Sequence, residues 1–271
     1  MTTATAAPQT PAPTPRTPAP FRMLSEVGIV VWRHLVQIRH NPEQLLELAV
    51  QPVLFVFLFG IVLAGQMGGA DGSYLAFVVP GLMIQATVLV TARTMTGLHA
   101  DVHTGLMQRL HTLPISRFAP LSGRIVADFL MLLWSLLILL VTSIAIGYRA
   151  DITLLTAIEA LGVIFVFYFA LACVAAFGAL TVRSPESVQA LGLATMLPLT
   201  ILSGAFVDTA TVPAWLQPVM IWNPVSLAVD SVRGLIAGTD IAEPLLRLIV
   251  ICAVLLAVFI PLATRAFTRE R

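Results

Sequence analysis

Few residue patterns in this chain of 271 residues could perform covalent chemistry. His99 and His103 stand four apart, a spacing at which two imidazoles on one helix face can hold zinc. No nearby cysteine or carboxylate completes a ligand set, so no metal site is expected and both histidines are assigned to a loop surface. Neither a G-x-S-x-G elbow nor an H-E-x-x-H pair is present to support hydrolysis. All 15 basic residues are arginine. A phosphate loop of the Walker type needs a lysine on the nucleotide phosphates, so this chain carries no such ATPase.

The remaining polar groups are embedded in apolar runs. Glu47 and Gln51 stand one turn apart, Gln85 lies in a second run, Asp128 near the start of a third, and Glu159 in a fourth. A charge at mid-bilayer costs about 2.5–3.5 kcal/mol on insertion scales, so such groups normally face protein or water. All five are therefore candidates for lining a transport path. Simpler roles stand beside that one: Asp128 can pair with Arg124 at i, i+4, and Glu47 and Glu159 can snorkel from span ends. Asp230 and Arg233, three apart, are expected to pair with each other.

The elements that position these groups follow from composition. Hydrophobic residues make up 58% of the chain and charged ones 11%, with mean hydropathy +0.93. A soluble domain carries about 25% charged residues, so the solvent for this chain is lipid. A net charge of +1 gives no nucleic-acid signature. Cys173 and Cys252 each sit inside an apolar run and read as small buried hydrophobes. Residues 1–20, with six prolines and no apolar core, read as a disordered cytoplasmic tail rather than a secretory signal.

Residues 21–41 are expected to form an amphipathic helix lying in the membrane interface. Leu24, Val27, Val31, Leu35 and Ile38 form its apolar stripe, while Arg22, Glu26, Arg33, Gln37 and His40 lie opposite. Residues 42–271 then form an all-α integral membrane domain. Against the ~20 apolar residues needed to cross the hydrocarbon, six transmembrane helices are expected, roughly at 44–65, 74–96, 122–147, 153–181, 188–206 and 244–264. No barrel-type alternation appears, so the spans are helices.

With a cytoplasmic N-terminus, the inner segments hold twelve arginines and the outer ones only Arg149, Arg233 and Arg247. This bias places both termini in the cytoplasm. The outer segment 207–243 has helical pattern only from about Val225 to Ala237, too short to cross, with Trp215 and Trp222 suited to an interface. Short re-entrant extracellular helices, including Asn223, Pro224, Asp230 and Arg233, fit best, because broken backbone is tolerated where it packs on protein.

On the inner side lies "GLMQRLHTLPISR", residues 105–117. Taken as a helix over 101–113, it puts Val102, Leu106, Leu110 and Leu113 on one face. Asp101, Thr104, Gln108 and His111 fall on the other, and Pro114 ends it. The pattern suits either a cover for the bundle's inner end or a docking element for a partner.

The stretch resembles the cytoplasmic-loop signature of type-2 ABC exporter permeases, G-T-L-E-R-L-x-x-T-P-x-S-R, matching at Gly105, Arg109, Leu110, Pro114, Ser116 and Arg117. "FVVPGLM" at 77–83, the long stretch 202–238 and the amphipathic first helix extend the likeness, which is nearest to the daunorubicin-resistance branch. Leu106 and Gln108 depart from the usual threonine and glutamate.

The resemblance implies a cytoplasmic coupling helix in which Asp101, Gly105, Gln108, Arg109, Leu110, Leu113 and Pro114 meet a separate ABC ATPase subunit. No cofactor is expected in this chain, with ATP and Mg on the partner. The implied function is an ATP-driven exporter permease in the plasma (inner) membrane, a homodimer or paired with a sister permease, moving a hydrophobic drug, polyketide or lipid. Alternatives are a lipid-linked polysaccharide exporter permease, an integral-membrane lipid enzyme and an ion-coupled secondary transporter using Glu47 or Asp128.

Overall fold

A computed structural model describes residues 28, 31, 32, 36, 42–63, 73–103, 119–150, 152–207 and 212–269. Every regular element among them is helical, with no strand. They are α1 (Pro42–Phe57, continued by a π-helical segment Leu58–Leu63), α2 (Ser73–His103), α3 (Ala119–Ile146), α4 (Leu154–Thr181), α5 (Pro185–Ile201), α6 (Gln217–Ile221), α7 (Pro224–Ala237) and α8 (Ala242–Arg269). Residues 1–20 and the segment 104–118 lie outside the described residues, as do most of 21–41.

Four helices are long and apolar enough to cross a membrane: Tyr74–Val102, Leu121–Ile146, Leu154–Thr181 and Ala242–Ala266. They coincide with four of the six expected spans. The other two fall short for reasons visible in the sequence. Glu43 and Glu47 make the start of α1 polar, so only Leu48–Val62 is a continuous apolar helix. Helix α5 has 17 residues, carries Pro198 inside, and gives way to a turn at Leu202.

Helix α2 is the axis of the bundle and packs on α1, α3, α4, α5 and α7. Its buried threonines return their hydroxyls to the preceding turn, Thr87 to the Met83 carbonyl, Thr91 to Thr87 and Thr94 to Val90. That pairing lets polar side chains sit in a dry core. Helix α4 contributes a small-residue face, with Ala172, Ala175, Ala176 and Ala179 all buried. Small side chains let helix backbones approach closely in lipid, where apolar burial gives little drive to associate.

By contrast, α3 turns Val126, Leu130, Trp134, Leu137, Val141 and Ile144 outward at helical spacing, and α8 leaves Leu246, Ile249, Val250, Val254 and Val258 exposed. In water such stripes would be sticky patches; in a bilayer they are the solvated face.

Helix α7 differs from the spans. Its 14 residues reach roughly 21 Å, short of the ~30 Å hydrocarbon thickness, yet Val225 through Val229 are all buried. It is a core helix, wedged among α2, α4 and α8. Asn223 caps its start, accepting from the Val225 N–H, and Pro224 follows at the first helical position. Gly238 closes it in the left-handed conformation (φ 67°), which a side chain would strain.

Candidate functional site

Two polar constellations tie the bundle together, one at each end. The first joins the Asp101 end of α2 to the Arg124 end of α3. Arg124 spans the two helices: Nη1 donates to the Asp101 carboxylate at 2.8 Å, and Nε to Asp128 at 2.9 Å. The i, i+4 pair with Asp128 was legible in the sequence; the bridge to Asp101 was not, because it joins positions 23 residues apart.

Gly97 makes this crossing possible. A Cβ there would collide with the Arg124 guanidinium, so the missing side chain is the space the arginine occupies. Nearby, Tyr168 of α4 donates to the Ile125 carbonyl at 3.0 Å and meets the Thr94 hydroxyl at 3.3 Å. The result is a chain of contacts through α2, α3 and α4 beside the loop.

Two expectations change here. Residues 101–103 are helical and continuous with α2, so no break at 101 starts a separate helix there, and apolar spacing alone cannot divide one continuous helix. Asp101 is thereby committed to Arg124. His99 is buried, its Nδ1 3.1 Å from the Ala179 carbonyl, and so belongs to the α2–α4 contact instead of a loop surface. Gly105, Gln108, Arg109, Leu110, Leu113 and Pro114 lie outside the described residues.

The second constellation lies at the opposite end and joins three stretches far apart in sequence. Arg233 of α7 donates to the Phe77 carbonyl at 3.0 Å, the Gly204 carbonyl at 3.2 Å and the Asp230 carboxylate at 3.1 Å, with its guanidinium 4.0 Å from the centre of the Phe77 ring. The expected Asp230 pair therefore forms, but it is one of several contacts of Arg233. Asn223 donates through its amide to the Leu199 and Leu202 carbonyls, at 2.7 and 2.6 Å. These belong to the end of α5, so the residue that caps α7 also satisfies the fraying terminus next to it. The Gly204 N–H donates to Ser226 Oγ at 2.9 Å, and Phe206 stacks on Phe59 of the π segment at 4.6 Å. Trp215 and Trp222 are exposed beside this cap, and Arg247 lies 5.2 Å from the Trp222 ring centre.

Between the two ends, a lateral groove of about 800 Å³ runs along α1, α2 and α5, with Gln51, Arg93 and Gln189 among apolar neighbours such as Leu54 and Leu193. Of the expected path residues, Gln51 faces this groove. Gln85 follows Leu82 by one turn on α2, and its buried Oε1 has no hydrogen-bond partner among the described residues. Asp128 is buried, engaged by Arg124, and not among the residues lining this groove. Glu159 is exposed on a different face, at the rim of a cleft between α4 and α8. Glu47 lies on α1, and its side chain is outside the described residues.

The arrangement has no cluster of three or more metal-ligating side chains among the described residues. Its features are a charged clasp at a loop, a stitched cap and a half-open groove, all in apolar helices. Residues 25–237 match the family model of the ABC-2 type transporter, which covers every constellation above and ends at the last residue of α7. The chain belongs to that family.

A daunorubicin resistance ABC transporter permease protein of Streptomyces coeruleorubidus is 31% identical over 253 residues, 93% of this chain and 89% of that one. A Mycobacterium tuberculosis protein described as a probable doxorubicin resistance ABC transporter permease is 27% identical over 77% of this chain and 78% of its own. Nodulation protein J of Rhizobium leguminosarum bv. viciae is 26% identical over 90% of this chain and 94% of its own. The chain is thus a multi-pass transmembrane permease subunit of an ABC exporter, a transport component whose family works with an ATPase.

This membership gives the cap a meaning that sequence reasoning missed. "FVVPGLM" and "LSGAF" look like separate motifs, yet a Cβ at Gly81 would collide with the Ala205 carbonyl. The two motifs are one contact surface. A glycine beside a proline in an apolar run was the available signal, since such a glycine often marks close approach of another backbone.

Proposed function

We propose that this permease exports a hydrophobic, drug-like molecule and works as one half of a twofold assembly driven by ATPase subunits on separate chains. The observation that carries the substrate class is the 31% identity, over nearly the whole chain, to a relative named for daunorubicin resistance. In this reading α1 with its π segment and α5 also cross the bilayer, giving six spans. Both termini are cytoplasmic, the amphipathic segment 21–41 lies on the inner leaflet of the plasma membrane, and α6 and α7 form an extracellular re-entrant cap.

The groove along α1, α2 and α5 is the half-pathway. A second permease, identical or a sister chain, closes it by symmetry, the commonest way to complete an open face. Gln51 and Gln189 would then offer hydrogen bonds to a passing molecule in a largely apolar wall that also carries Glu43, Arg93 and Thr96. Substitution of Leu54 and Leu193, both exposed at the groove, by cysteine should give an intermolecular cross-link between copies or with the sister chain.

Residues 105–114 dock in a cleft of the ATPase, which supplies ATP and Mg chemistry. Closure of two ATPases then favours one state of the permease through contacts that differ between states. The test is uptake of doxorubicin into inside-out vesicles containing this permease and its cognate ATPase. ATP-dependent uptake, lost without either component, is the expected result. Equal accumulation with and without ATP, both proteins being present, overturns the drug-export reading.

A further inference from the structure

A separate pocket of about 220 Å³ opens sideways between the α3–α4 hairpin, α2 and α7. Met83, Leu133, Leu140, Ala157 and Ile236 are among its apolar walls, and the outward-facing Leu137 and Leu161 flank it. Two polar side chains line it. The Thr156 hydroxyl is matched with Thr153 at 2.8 Å, whereas the hydroxyl of Tyr148, 2% exposed, has no hydrogen-bond partner among the described residues. A buried hydroxyl left unpaired is costly, so a ligand that accepts its hydrogen bond gains from binding here.

The position narrows the ligand. Tyr148 lies two residues beyond the end of α3 at Ile146, where a span reaches the headgroup level and tyrosine is favoured. Burial pushes the Tyr148 phenol above its ordinary pKa, so it stays a donor. The size narrows it further. A cavity of about 150 Å³ admits a single benzene ring, and drug-sized sites start near 300 Å³, so this pocket suits one slender chain. Its side opening faces the hydrocarbon.

We infer that the pocket seats one acyl chain of a membrane phospholipid, with the Tyr148 ring turning toward it so that the ester carbonyl of that chain accepts the hydroxyl's hydrogen bond. The lipid then fills the gap between the hairpin and the α2–α7 core. This site is distinct from the groove along α1 and α5, and its occupancy does not depend on what the permease exports.

The test uses the full-length chain in nanodiscs of phosphatidylethanolamine and phosphatidylglycerol, with a trace of phosphatidylglycerol bearing a diazirine near its acyl terminus. After irradiation, peptides from residues 133–161 should carry severalfold more label than those from the exposed face of α8. Ala157→Leu and Leu161→Trp, which fill the pocket in two ways, should each remove the excess and leave the α8 label intact. Tyr148→Phe changes no packing volume and should lower hairpin labelling about two- to tenfold, the loss of one hydrogen bond. Excess doxorubicin should not compete. Even labelling of hairpin and α8, full hairpin labelling in both filled variants, an unchanged Tyr148→Phe, or displacement by doxorubicin would each overturn the inference.

Discussion

Gly81 of α2 lies against the backbone of Ala205, so close that a Cβ on the glycine would collide with the Ala205 carbonyl oxygen. The obstacle is main chain held by its own hydrogen bonds, since Ser203, Gly204 and Ala205 are tied to Thr200 and Ser226. It cannot yield as a side-chain tip would.

Gly81→Ala is therefore expected to destabilise the protein by about 1–3 kcal/mol through overpacking. Gly162 has nothing within 4 Å of its would-be Cβ, so Gly162→Ala should be neutral or stabilising by up to about 1 kcal/mol through helix propensity. Unfolding midpoints of the two variants in one detergent make the comparison. The same shift in both would contradict the close-approach argument.

Arg124 should be sensitive to truncation because its partners remain. Asp128 is buried and Asp101 half-buried, so Arg124→Ala leaves acidic charge in a dry site, at a cost of about 3–5 kcal/mol. Replacing both Arg124 and Asp128 with leucine removes the more deeply buried carboxylate, leaves only the half-buried Asp101 without its arginine, and should recover much of the loss. A double-mutant cycle on thermal stability tests this; strict additivity of the two changes would argue that the clasp contributes nothing.

Asn223 performs two tasks that other capping residues cannot share. Its Oδ1 caps α7 while its amide donates to two carbonyls of the α5 terminus. Aspartate and serine both cap helices well, but an aspartate would turn an anionic oxygen toward the Leu199 and Leu202 carbonyls. Asn223→Ser should therefore be more stable than Asn223→Asp, with Asn223→Ser itself below the parent by about 1–2 kcal/mol. If aspartate equals asparagine in a thermal melt, the amide bonds carry no weight.

If residues 105–114 dock on an ATPase as proposed, altering them should break coupling without unfolding. Arg109→Glu with Leu110→Ala should change stability by only about 0.5 kcal/mol, as surface substitutions generally do. A reversed charge at a docking surface can cost several kcal/mol. Normal membrane levels, weak retention of the ATPase and lost export are expected, whereas Arg265→Glu should be mild. The docking assignment would be falsified if the double variant retained both ATPase and transport.

Much of this protein is written in its sequence because lipid imposes a simple rule. A crossing helix must satisfy its backbone internally and clothe it in apolar residues for about 20 positions, so four spans are legible as uninterrupted runs. The end of α7 at Gly238 and its start at Asn223-Pro224 are legible for a similar reason: capping is local chemistry. So are the Arg124–Asp128 and Asp230–Arg233 pairs, which need only one helical turn. Tertiary structure alone decided the rest. It gave Arg124 its second carboxylate on α2, made Arg233 a tie between α2 and the turn after α5, and turned Gly81 and Gly97 into the room for those contacts. It also buried His99 and Asp128, two groups for which the sequence had allowed other roles. These relations join residues tens to more than a hundred positions apart. Helical periodicity fixes which face a residue occupies, while only the packing of one helix on another fixes what that face meets.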